Sequence, residues 1–392
     1  MKNSKGFNLI SVIVIICVTS VISAITTGVI ISNNYGLSYK SVNEDEKLNE
    51  FLKAYSNIVD NYYENVDKEK MLDAAINGML NYLGDNYTTY LNSDQSKELE
   101  KKLAGSYEGI GISLQGQQVA SVVENGPAAR SGILVGDKVS KVNGTDVSSL
   151  NSGAISALIT TSKKKSITLL IERNGESLEF NVSIESIPLS SVEEKLLENN
   201  IGYIKMDIFS KNLAEQVKTS LNNLKNQGMN RLIIDLRDNT GGYLDSAEKT
   251  ASLLLEKGKL IYSLQDKNKK EDYYDETDEC ENIPIVILIN NNTASAAEIL
   301  AAALKDSYSN TTIVGEKSFG KGKVQQTYDL SDGSKAKYTS AKWLRPNGDC
   351  IDTIGISPDV EASLSYEYDE NGNEIATIDS QLTKAIEVIG AK

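Results

Sequence analysis

Apolar positions along the chain recur with different periods, and the changes of period divide it into regions. Between residues 43 and 104 they recur at intervals of about three or four, which predicts amphipathic helices. From residue 105 to residue 186 the pattern changes to alternation, which predicts the short strands of a small β-barrel with helices between them. Asn174-Gly175, between two such runs, is typical of a tight hairpin turn.

From residue 201 onward, apolar strand patterns alternate with helical patterns, as they do in βαβ units. This predicts a multi-domain α/β protein whose core has a mostly parallel sheet. Residues 266–282 are rich in charged side chains and are predicted to form a solvated loop. The strands are expected at 201–206, 231–236, 260–264, 283–289, 324–330 and 335–344, and the helices at 212–224, 245–255, 295–306 and 381–389.

The N-terminal region has the pattern of a membrane anchor. No residue from 6 to 39 is charged, and the apolar centre at 10–31 has 22 residues. As a helix this centre would be about 33 Å long, enough to cross a bilayer core of about 30 Å. Lys2 and Lys5 precede it, so the positive-inside rule places the N-terminus in the cytoplasm and the remainder of the chain outside. A cleaved signal peptide, cut near Ser23-Ala24, is the alternative.

The regions together predict a single-pass protein of the cell membrane with its folded domains outside. The helices near either end of the chain are also candidates for a homodimer contact. The predicted segments are a cytoplasmic N-terminus (1–6), a transmembrane anchor (7–32), a helical region (33–104), the small β-domain (105–186), an α/β core (187–361) and a C-terminal segment (362–392).

The amino-acid composition excludes several classes of binding and catalytic site. The 392 residues carry a net charge of −14, which argues against a general nucleic-acid binder. The chain has no histidine, which excludes Ser-His-Asp and Cys-His mechanisms and every His-ligated metal site. A hydrolytic serine would need another base, and lysine is the main alternative. Cys280 and Cys350 can form a disulfide outside the cell or remain two buried thiols, and the sequence leaves both open.

Ser295 stands where a predicted strand gives way to an alanine-rich helix, in the stretch TASAAEILAAALKD (residues 293–306). Free backbone N–H groups and the positive end of the helix dipole lie at such a position, and both stabilise an oxyanion. Ser295-x-x-Glu298 is also a capping box, in which the serine has only a structural role. The local pattern leaves the two interpretations equally open.

Lys321 lies 26 residues after Ser295, between Gly320 and Gly322. The glycines permit another segment to approach closely, and burial can lower a lysine pKa by about 3 units. Such a lysine can take the proton of Ser295 and return it to a leaving amine. Gln325 falls on the same face of an extended strand and can orient the amine. The alternative for an isolated GKGK stretch is a surface turn with a solvated lysine.

Two glycine-rich stretches are candidates for binding through backbone N–H groups. Gly241-Gly242 lies between a predicted strand and a helix, where it can bind an anion or complete an oxyanion hole. The run Gly109-Ile110-Gly111-Ile112 leads into an edge strand, where it can capture a C-terminal carboxylate while the peptide adds as a strand. Without further support, both stretches are equally consistent with simple turns.

Several stretches together resemble the C-terminal processing peptidases, also called tail-specific proteases. They are GIGI, GPAARSGILVGDKVSKVNG, DLRDNTGG, TASAAEI and FGKGKVQ, and the resemblance covers nearly the whole chain after the anchor. It implies that Ser295 is the nucleophile, Lys321 the general base and Gln325 its orienting partner. It also implies that the small β-domain is a PDZ domain, with Gly109 to Ile112 as its carboxylate-binding loop.

The same resemblance implies that the N–H of Ala296, with Gly241 or Gly242, forms the oxyanion hole. We therefore expect a membrane-anchored serine endopeptidase that cleaves extracytoplasmic proteins after binding their C-terminal tails. We expect it to need no metal or cofactor and to bind no nucleic acid. The alternative is a catalytically inactive PDZ adaptor that binds protein C-termini.

Overall fold

A computed structural model describes residues 46–160, 165–368 and 374–391 of the chain. The segments predicted as cytoplasmic N-terminus (1–6) and transmembrane anchor (7–32) lie outside the described residues, and both stay predictions. Among the helices that are described, none combines the length and the apolar character needed to cross a bilayer.

Two helices open the described part of the chain, α1 (Glu46–Asn61) and α2 (Lys68–Tyr82). Asp67 starts α2, because its carboxylate accepts the Lys70 N–H over 3.1 Å. The region 43–104, predicted as helical, also contains a short strand at Thr89–Leu91. For α1 and α2 the helical spacing of apolar residues predicts the element type correctly. It does not predict burial, since α1 buries no residue and α2 buries Leu80.

The described residues from Ile76 onward form one compact unit. After α2 it continues with a short strand, β1 (Thr89–Leu91), and a helix, α3 (Ser93–Ala104). The side chain of Asn92 accepts the Gln95 N–H over 2.9 Å, and the Gln95 side chain accepts the Asn92 N–H over 3.1 Å. This capping box fixes where α3 begins.

The small β-domain follows α3 directly. The strands of its main sheet lie in the order β3-β4-β5-β7-β8, with β6 beside β5, and β2 pairs antiparallel with β9. Asn174-Gly175 joins β7 to β8 as a hairpin, as predicted. The elements are β2 (Ser106–Gly109), β3 (Ile112–Gln115), β4 (Gln118–Val122), α4 (Pro127–Arg130), β5 (Lys138–Val142), β6 (Thr145–Asp146), α5 (Ser152–Thr160), β7 (Ser166–Arg173), β8 (Glu176–Ser183) and β9 (Glu185–Pro188).

The α/β core contains the remaining elements. They are β10 (Val192–Leu197), β11 (Ile201–Met206), α6 (Leu213–Asn226), β12 (Arg231–Asp235), α7 (Leu244–Ser252), β13 (Leu260–Gln265), β14 (Lys270–Tyr274), β15 (Ile285–Ile289), α8 (Ala296–Ser307), β16 (Thr311–Gly315), β17 (Lys323–Asp329), β18 (Lys335–Leu344), β19 (Val360–Glu361), β20 (Ser365–Tyr368), β21 (Glu374–Ile378) and α9 (Ser380–Gly390).

A mostly parallel sheet of six strands forms the centre of this core, in the order β10-β11-β12-β15-β16-β19. Its neighbouring strands are parallel except for β10, which runs antiparallel to β11. Alternate residues of its strands pack on opposite faces, so both faces are buried. Ile204, Ile234 and Ile287 pack with helices α6, α7 and α8, whereas Tyr203, Ile233 and Val286 pack with α9.

A second sheet is antiparallel and has the order β1-β18-β13-β14, with β17 also paired to β18. Two predictions are wrong here. The strand expected at 260–264 is present as β13, but it does not join the parallel sheet. The charged stretch 266–282 is not wholly a loop, since β14 lies within it and pairs with β13. The reason is that β14 is a mostly exposed edge strand, whose composition does not differ from that of a loop.

Arg237, directly after β12, fastens the C-terminal helix to the core. Its guanidinium donates to Asp379 over 2.7 Å and 2.9 Å, and to Asp235 over 2.5 Å. These carboxylates raise the pKa of Arg237, although burial opposes them. The guanidinium therefore stays charged and holds the start of α9 beside the carboxyl end of the parallel sheet.

Cys280 and Cys350 are both free thiols in this structure. Cys280 is exposed, so the expectation that unpaired thiols would be buried is wrong for this residue. A charged surface segment surrounds it, which a cysteine count alone does not reveal.

Candidate active site

The turn between β15 and α8 presents Ser295 at the start of a helix. Thr293 fixes this turn, because its hydroxyl donates to the Leu236 carbonyl over 2.8 Å and accepts the Asn290 N–H over 3.0 Å. Ser295 has φ 58° and ψ −119°, a conformation that costs a non-glycine residue about 1–3 kcal/mol. An ordinary N-cap residue has extended backbone angles. Helix capping alone therefore does not account for the conformation of Ser295.

Glu298 is fully buried one turn into α8, and its carboxylate joins two parts of the site. One oxygen accepts the backbone N–H of Ser295 over 2.8 Å and that of Lys321 over 2.9 Å. The other oxygen accepts the Ser318 hydroxyl over 2.6 Å and the Gly320 N–H over 2.7 Å. Burial raises the pKa of Glu298, and these four donors oppose the rise. Glu298 thus reaches back to the serine, as the capping pattern predicts, and also holds the lysine segment.

Lys321 is partly buried, with its ammonium 5.2 Å from the centre of the Tyr87 ring. Burial is the main cause that lowers its pKa to about 8, and the positive charge of Lys337 adds to this effect. Glu298 and Asp85 act in the opposite direction. Among the described residues, no carboxylate forms an ion pair with the Lys321 ammonium. Lys321 therefore releases its proton near the pH at which a general base must work.

The glycines on either side of Lys321 allow a neighbouring segment to approach, as their positions predict. A Cβ at Gly320 would lie 2.8 Å from the Gly355 nitrogen, and a Cβ at Gly322 would lie 2.6 Å from the Asp352 nitrogen. Gly320 also has φ 88°, which favours glycine. Larger residues at either position would displace the backbone that carries Lys321.

Gln325 lies on β17 opposite Thr339 of β18. Its side-chain nitrogen donates to the Thr339 hydroxyl over 3.3 Å, and that hydroxyl donates to the Asp85 carboxylate. The sequence places Gln325 on the same face as Lys321 on the assumption of a regular extended strand. A bulge between Val324 and Gln325 interrupts that regular geometry. Both side chains nevertheless line the same cleft.

The turn at Gly241-Gly242 lies directly against the Ser295 turn. A Cβ at Gly241 would be 2.8 Å from the Ser295 Cβ and 2.9 Å from the Ala296 nitrogen. The Gly241 N–H donates to the Asn239 side chain over 2.9 Å, so it is not available to a substrate. Of the two predicted alternatives, this argues against Gly241 and favours Gly242 as the oxyanion donor beside Ala296. Within the described chain, the N–H groups of Gly242 and Ala296 have no hydrogen-bond partner.

A cleft of about 810 Å³ brings the predicted residues together. Ser295, Lys321 and Gln325 line it, and the turn at Gly241-Gly242 lines it as well. A nucleophile, an amine of lowered pKa and free backbone N–H groups therefore meet in one solvent-accessible space. Such an arrangement suits acyl transfer through a covalent intermediate.

Three protein-family models and several known proteins match this chain. Residues 200–362 match the model of peptidase family S41, residues 95–184 match the PDZ domain, and residues 29–95 match the N-terminal domain of the activating protease CtpB. The carboxy-terminal processing protease CtpA of Bacillus subtilis (strain 168) is 36% identical over 357 residues, which cover 89% of this chain and 76% of that protein. The chain belongs to the carboxy-terminal processing proteases.

Two further proteins resemble this chain in sequence or in structure. A probable CtpA-like serine protease of Staphylococcus aureus (strain COL) is 32% identical over 364 residues, 91% of this chain and 72% of its own. A solved photosystem II D1 C-terminal processing protease is 27% identical, covers 83% of this chain and 88% of its own, and has a TM-score of 0.48. The protease is thus a serine-type peptidase, and its multi-domain α/β fold includes an S41 and a PDZ domain.

The PDZ domain of the protease places Gly109 to Ile112 at the entry of β3, an outer strand of its sheet. The Ile110 carbonyl accepts the Ala128 N–H over 2.9 Å, which fixes the loop. Over the residues that the structure describes, the N–H groups of Ile110 and Gly111 donate to no acceptor. A peptide that adds beside β3 can therefore place its terminal carboxylate on free N–H groups.

Sequence reasoning missed the contribution of the segment just before the PDZ domain. Asp85 accepts the Thr88 hydroxyl over 2.7 Å and pairs with Lys323 over 3.2 Å. The ring of Tyr87 lies beside both lysines of the GKGK stretch. Helix α3 supplies Leu103 to the cleft wall. The available signal was the short polar stretch that follows α2, which a helical pattern does not explain.

Proposed function

We propose that the protease hydrolyses peptide bonds through an acyl-enzyme formed on Ser295. The neutral amine of Lys321 takes the proton from the Ser295 hydroxyl while its oxygen attacks the peptide carbonyl carbon. Lys321 then gives this proton to the leaving amine as the C–N bond breaks. Water, activated by the same amine, hydrolyses the ester and restores Ser295.

The environment of Lys321 is the observation that carries this proposal. Its pKa is lowered to about 8, which leaves a useful fraction of neutral amine near neutral pH. Glu298 is the nearest buried carboxylate in sequence to Ser295, and its oxygens are already occupied by four donors. They therefore accept from three backbone N–H groups and the Ser318 hydroxyl and form no ion pair with the Lys321 ammonium, whose pKa burial lowers although the Glu298 charge opposes this.

The oxyanion hole in this proposal consists of the N–H groups of Ala296 and Gly242. Ala296 is the first residue of α8, so its N–H lies at the positive end of the helix dipole. Free N–H groups in a preorganised site stabilise the negative oxygen of a tetrahedral intermediate. Gln325 turns its amide nitrogen to Thr339, which leaves its side-chain oxygen to accept a hydrogen bond from the Lys321 amine.

We infer further that the protease is held at the cell membrane by residues 7–32, with residues 1–6 in the cytoplasm and the catalytic domain outside. The uncharged stretch and the preceding lysines support this orientation. Protein substrates would then be extracytoplasmic and would bind through their C-terminal tails at Gly109 to Ile112. Digestion of intact cells by an added protease tests the orientation, since the PDZ and catalytic domains should be accessible and residues 1–6 protected.

Replacement of Ser295 tests the catalytic proposal. We expect Ser295→Ala to abolish cleavage of an unfolded test protein and covalent labelling by a fluorophosphonate, detected as an intact-mass increase. Ser331→Ala, at an exposed serine, is the matched control and should behave like wild type. Wild-type cleavage by Ser295→Ala would refute the mechanism. Tail binding without cleavage by the wild-type protein would favour the inactive adaptor.

A further inference from the structure

Lys337 reaches the active-site cleft from β18, and its one part in the mechanism proposed above is the positive charge that helps burial to lower the pKa of Lys321. It stands opposite Thr327 of β17, and it lines the cleft together with Ser295. Residues two apart on a strand point to the same face, so Lys337 shares its face with Thr339, the hydrogen-bond partner of Gln325. The Lys337 side chain therefore belongs to the wall along which a bound peptide would lie.

Lys337 differs from two other lysines of the cleft because it lacks a carboxylate partner. Lys323 pairs with Asp85 over 3.2 Å, and Lys335 pairs with Glu100 over 2.8 Å. For Lys337, no ion pair or hydrogen bond of the ammonium exists within the described part of the chain. The side chain is partly buried, and this burial lowers its pKa. An ammonium in such surroundings is stabilised by an anion that arrives with a ligand.

We propose that Lys337 binds a carboxylate group of the peptide being cut and thereby selects among peptides at the active site. The inference rests on the proposed serine–lysine function, because that function places the peptide in this cleft. An ammonium offers three N–H donors and no acceptor, and a carboxylate is the peptide group to which it binds most strongly. The carboxylate belongs to an Asp or Glu side chain near the cut bond or to the free end of a short tail.

The unpaired charge also acts against other peptides. Lys321 and Lys337 line one cleft, and Lys337 keeps its positive charge when Lys321 is neutral and able to act as a base, so a basic peptide side chain would meet this unpaired charge. Specificity commonly combines one attractive contact with one repulsive element. Peptides with Lys or Arg close to the cut bond should therefore be poor substrates, and those with an acidic group should be good ones.

Three synthetic peptides of one neutral sequence test the contact with the full-length protease. The first has an amidated C-terminus and no charged side chain. The second carries one Glu, which is moved one position at a time across the cut bond, and the third has a free C-terminal carboxylate. We expect the wild-type kcat/KM for the second or third peptide to exceed that for the first about tenfold. The peptide whose gain is lost in Lys337→Gln identifies the source of the carboxylate, because binding of a tail at Gly109 to Ile112 does not depend on Lys337.

Variants at Lys337 show whether this side chain causes the preference. Lys337→Gln should bring charged and uncharged peptides to similar kcat/KM values. Lys337→Glu should reverse the preference and favour a peptide with Lys in place of Glu. Lys342→Gln is the matched control, because Lys342 is exposed on the same strand and lies outside the cleft lining. It should keep the wild-type preference.

Equal rates for all three peptides with the wild-type protease would overturn the proposal. An equal loss for all three in Lys337→Gln would overturn it too, because a purely structural role has that effect. Binding of the same labelled peptides to Ser295→Ala protein separates the contact from catalysis. If peptides with a carboxylate bind more tightly and Lys337→Gln removes this difference, the contact between Lys337 and the carboxylate is supported. If the wild-type protein then fails to cut these peptides, the proposed function is refuted and the contact is not. Equal binding of all peptides refutes the contact.

Discussion

Lys321 and Lys323 stand on either side of Gly322 and share the ring of Tyr87, yet their surroundings change their basicity in opposite directions. The two ammonium groups lie 5.2 Å and 5.8 Å from the ring centre. A hydrogen bond with Asp85 raises the pKa of Lys323, whereas burial lowers that of Lys321 to about 8. The stretch GKGK repeats the same two residues, so the difference arises from the rest of the fold, which buries Lys321 and places Asp85 beside Lys323.

The largest expected difference between these lysines is in catalysis. Lys321→Ala removes the general base and should lower kcat/KM roughly 10²–10⁴-fold. Lys323→Ala removes a partly exposed ion pair with Asp85 and should lower kcat/KM less than about tenfold. Both values come from initial rates of cleavage of one unfolded protein substrate. Similar losses in the two variants would contradict the assignment, provided that both proteins retain the wild-type circular dichroism spectrum.

Glu298 holds the backbone of Lys321 and not that of Lys323, so its replacement extends the comparison. Glu298→Gln replaces one acceptor oxygen by an NH₂ group that faces two donors. We expect kcat/KM to fall about 100-fold and the free energy of unfolding to fall by about 1–3 kcal/mol. Glu215→Gln, at an exposed position of α6, should change neither. Unchanged labelling of Ser295 in Glu298→Gln would show that the four hydrogen bonds are dispensable.

Replacement of Lys321, which should lower activity more than replacement of Lys323, should also raise the free energy of unfolding, whereas replacement of Lys323 should not. Below pH 8 the folded protease keeps a partly buried charge on Lys321, and lowering the pKa from 10.5 to about 8 corresponds to at most about 3 kcal/mol. Lys321→Met should therefore raise the free energy of unfolding at neutral pH, and Lys323→Met should not. Denaturant unfolding measures both.

The pH dependence of this stability follows from proton binding. The unfolded chain keeps the proton of this lysine up to about pH 10.5, whereas the folded protease releases it near pH 8. Wild-type stability should accordingly gain relative to Lys321→Met as the pH rises through this interval. A constant difference between the two proteins at all pH values would contradict the lowered pKa.

The smallest expected effect concerns Asp85, which contacts Lys323 and Thr339 and acts on the pKa of Lys321 through its charge. Its negative charge raises the pKa of Lys321, so Asp85→Asn should shift the activity profile to lower pH by a few tenths of a unit. The profile of kcat/KM against pH measures this shift. A shift to higher pH would mean that loss of the Thr339 contact exposes Lys321 to water.

Local pattern was sufficient for much of the fold. The expected strands at 201–206 and 335–344 coincide with β11 and β18. Local sequence patterns, such as apolar positions and the turn residues beside a strand, were sufficient to delimit them. The pattern could not show that β13 belongs to a different sheet from β15. Periodicity reports the type of element and which of its faces is apolar, and it carries no information about which strand is the neighbour.

The candidate site was predictable in its residues and not in its connections. Ser295, Lys321 and Gln325 do line one cleft, and their catalytic roles remain our proposal. The link from Glu298 to the lysine segment joins residues more than 20 positions apart, so a capping pattern accounts for only half of it. The choice of Gly242 over Gly241 depends on one hydrogen bond to Asn239, which no spacing in the sequence reveals.

The central claim is that a neutral Lys321 removes the proton from Ser295, and the pH dependence of Ser295 acylation tests it most directly. The rate of acylation by an uncharged active ester should rise with pH and level off above a midpoint near pH 8, the pKa of Lys321. In Lys321→Ala this step should vanish. A step that persists in Lys321→Ala, or a wild-type rate without any step between about pH 7 and about pH 9, would contradict the account.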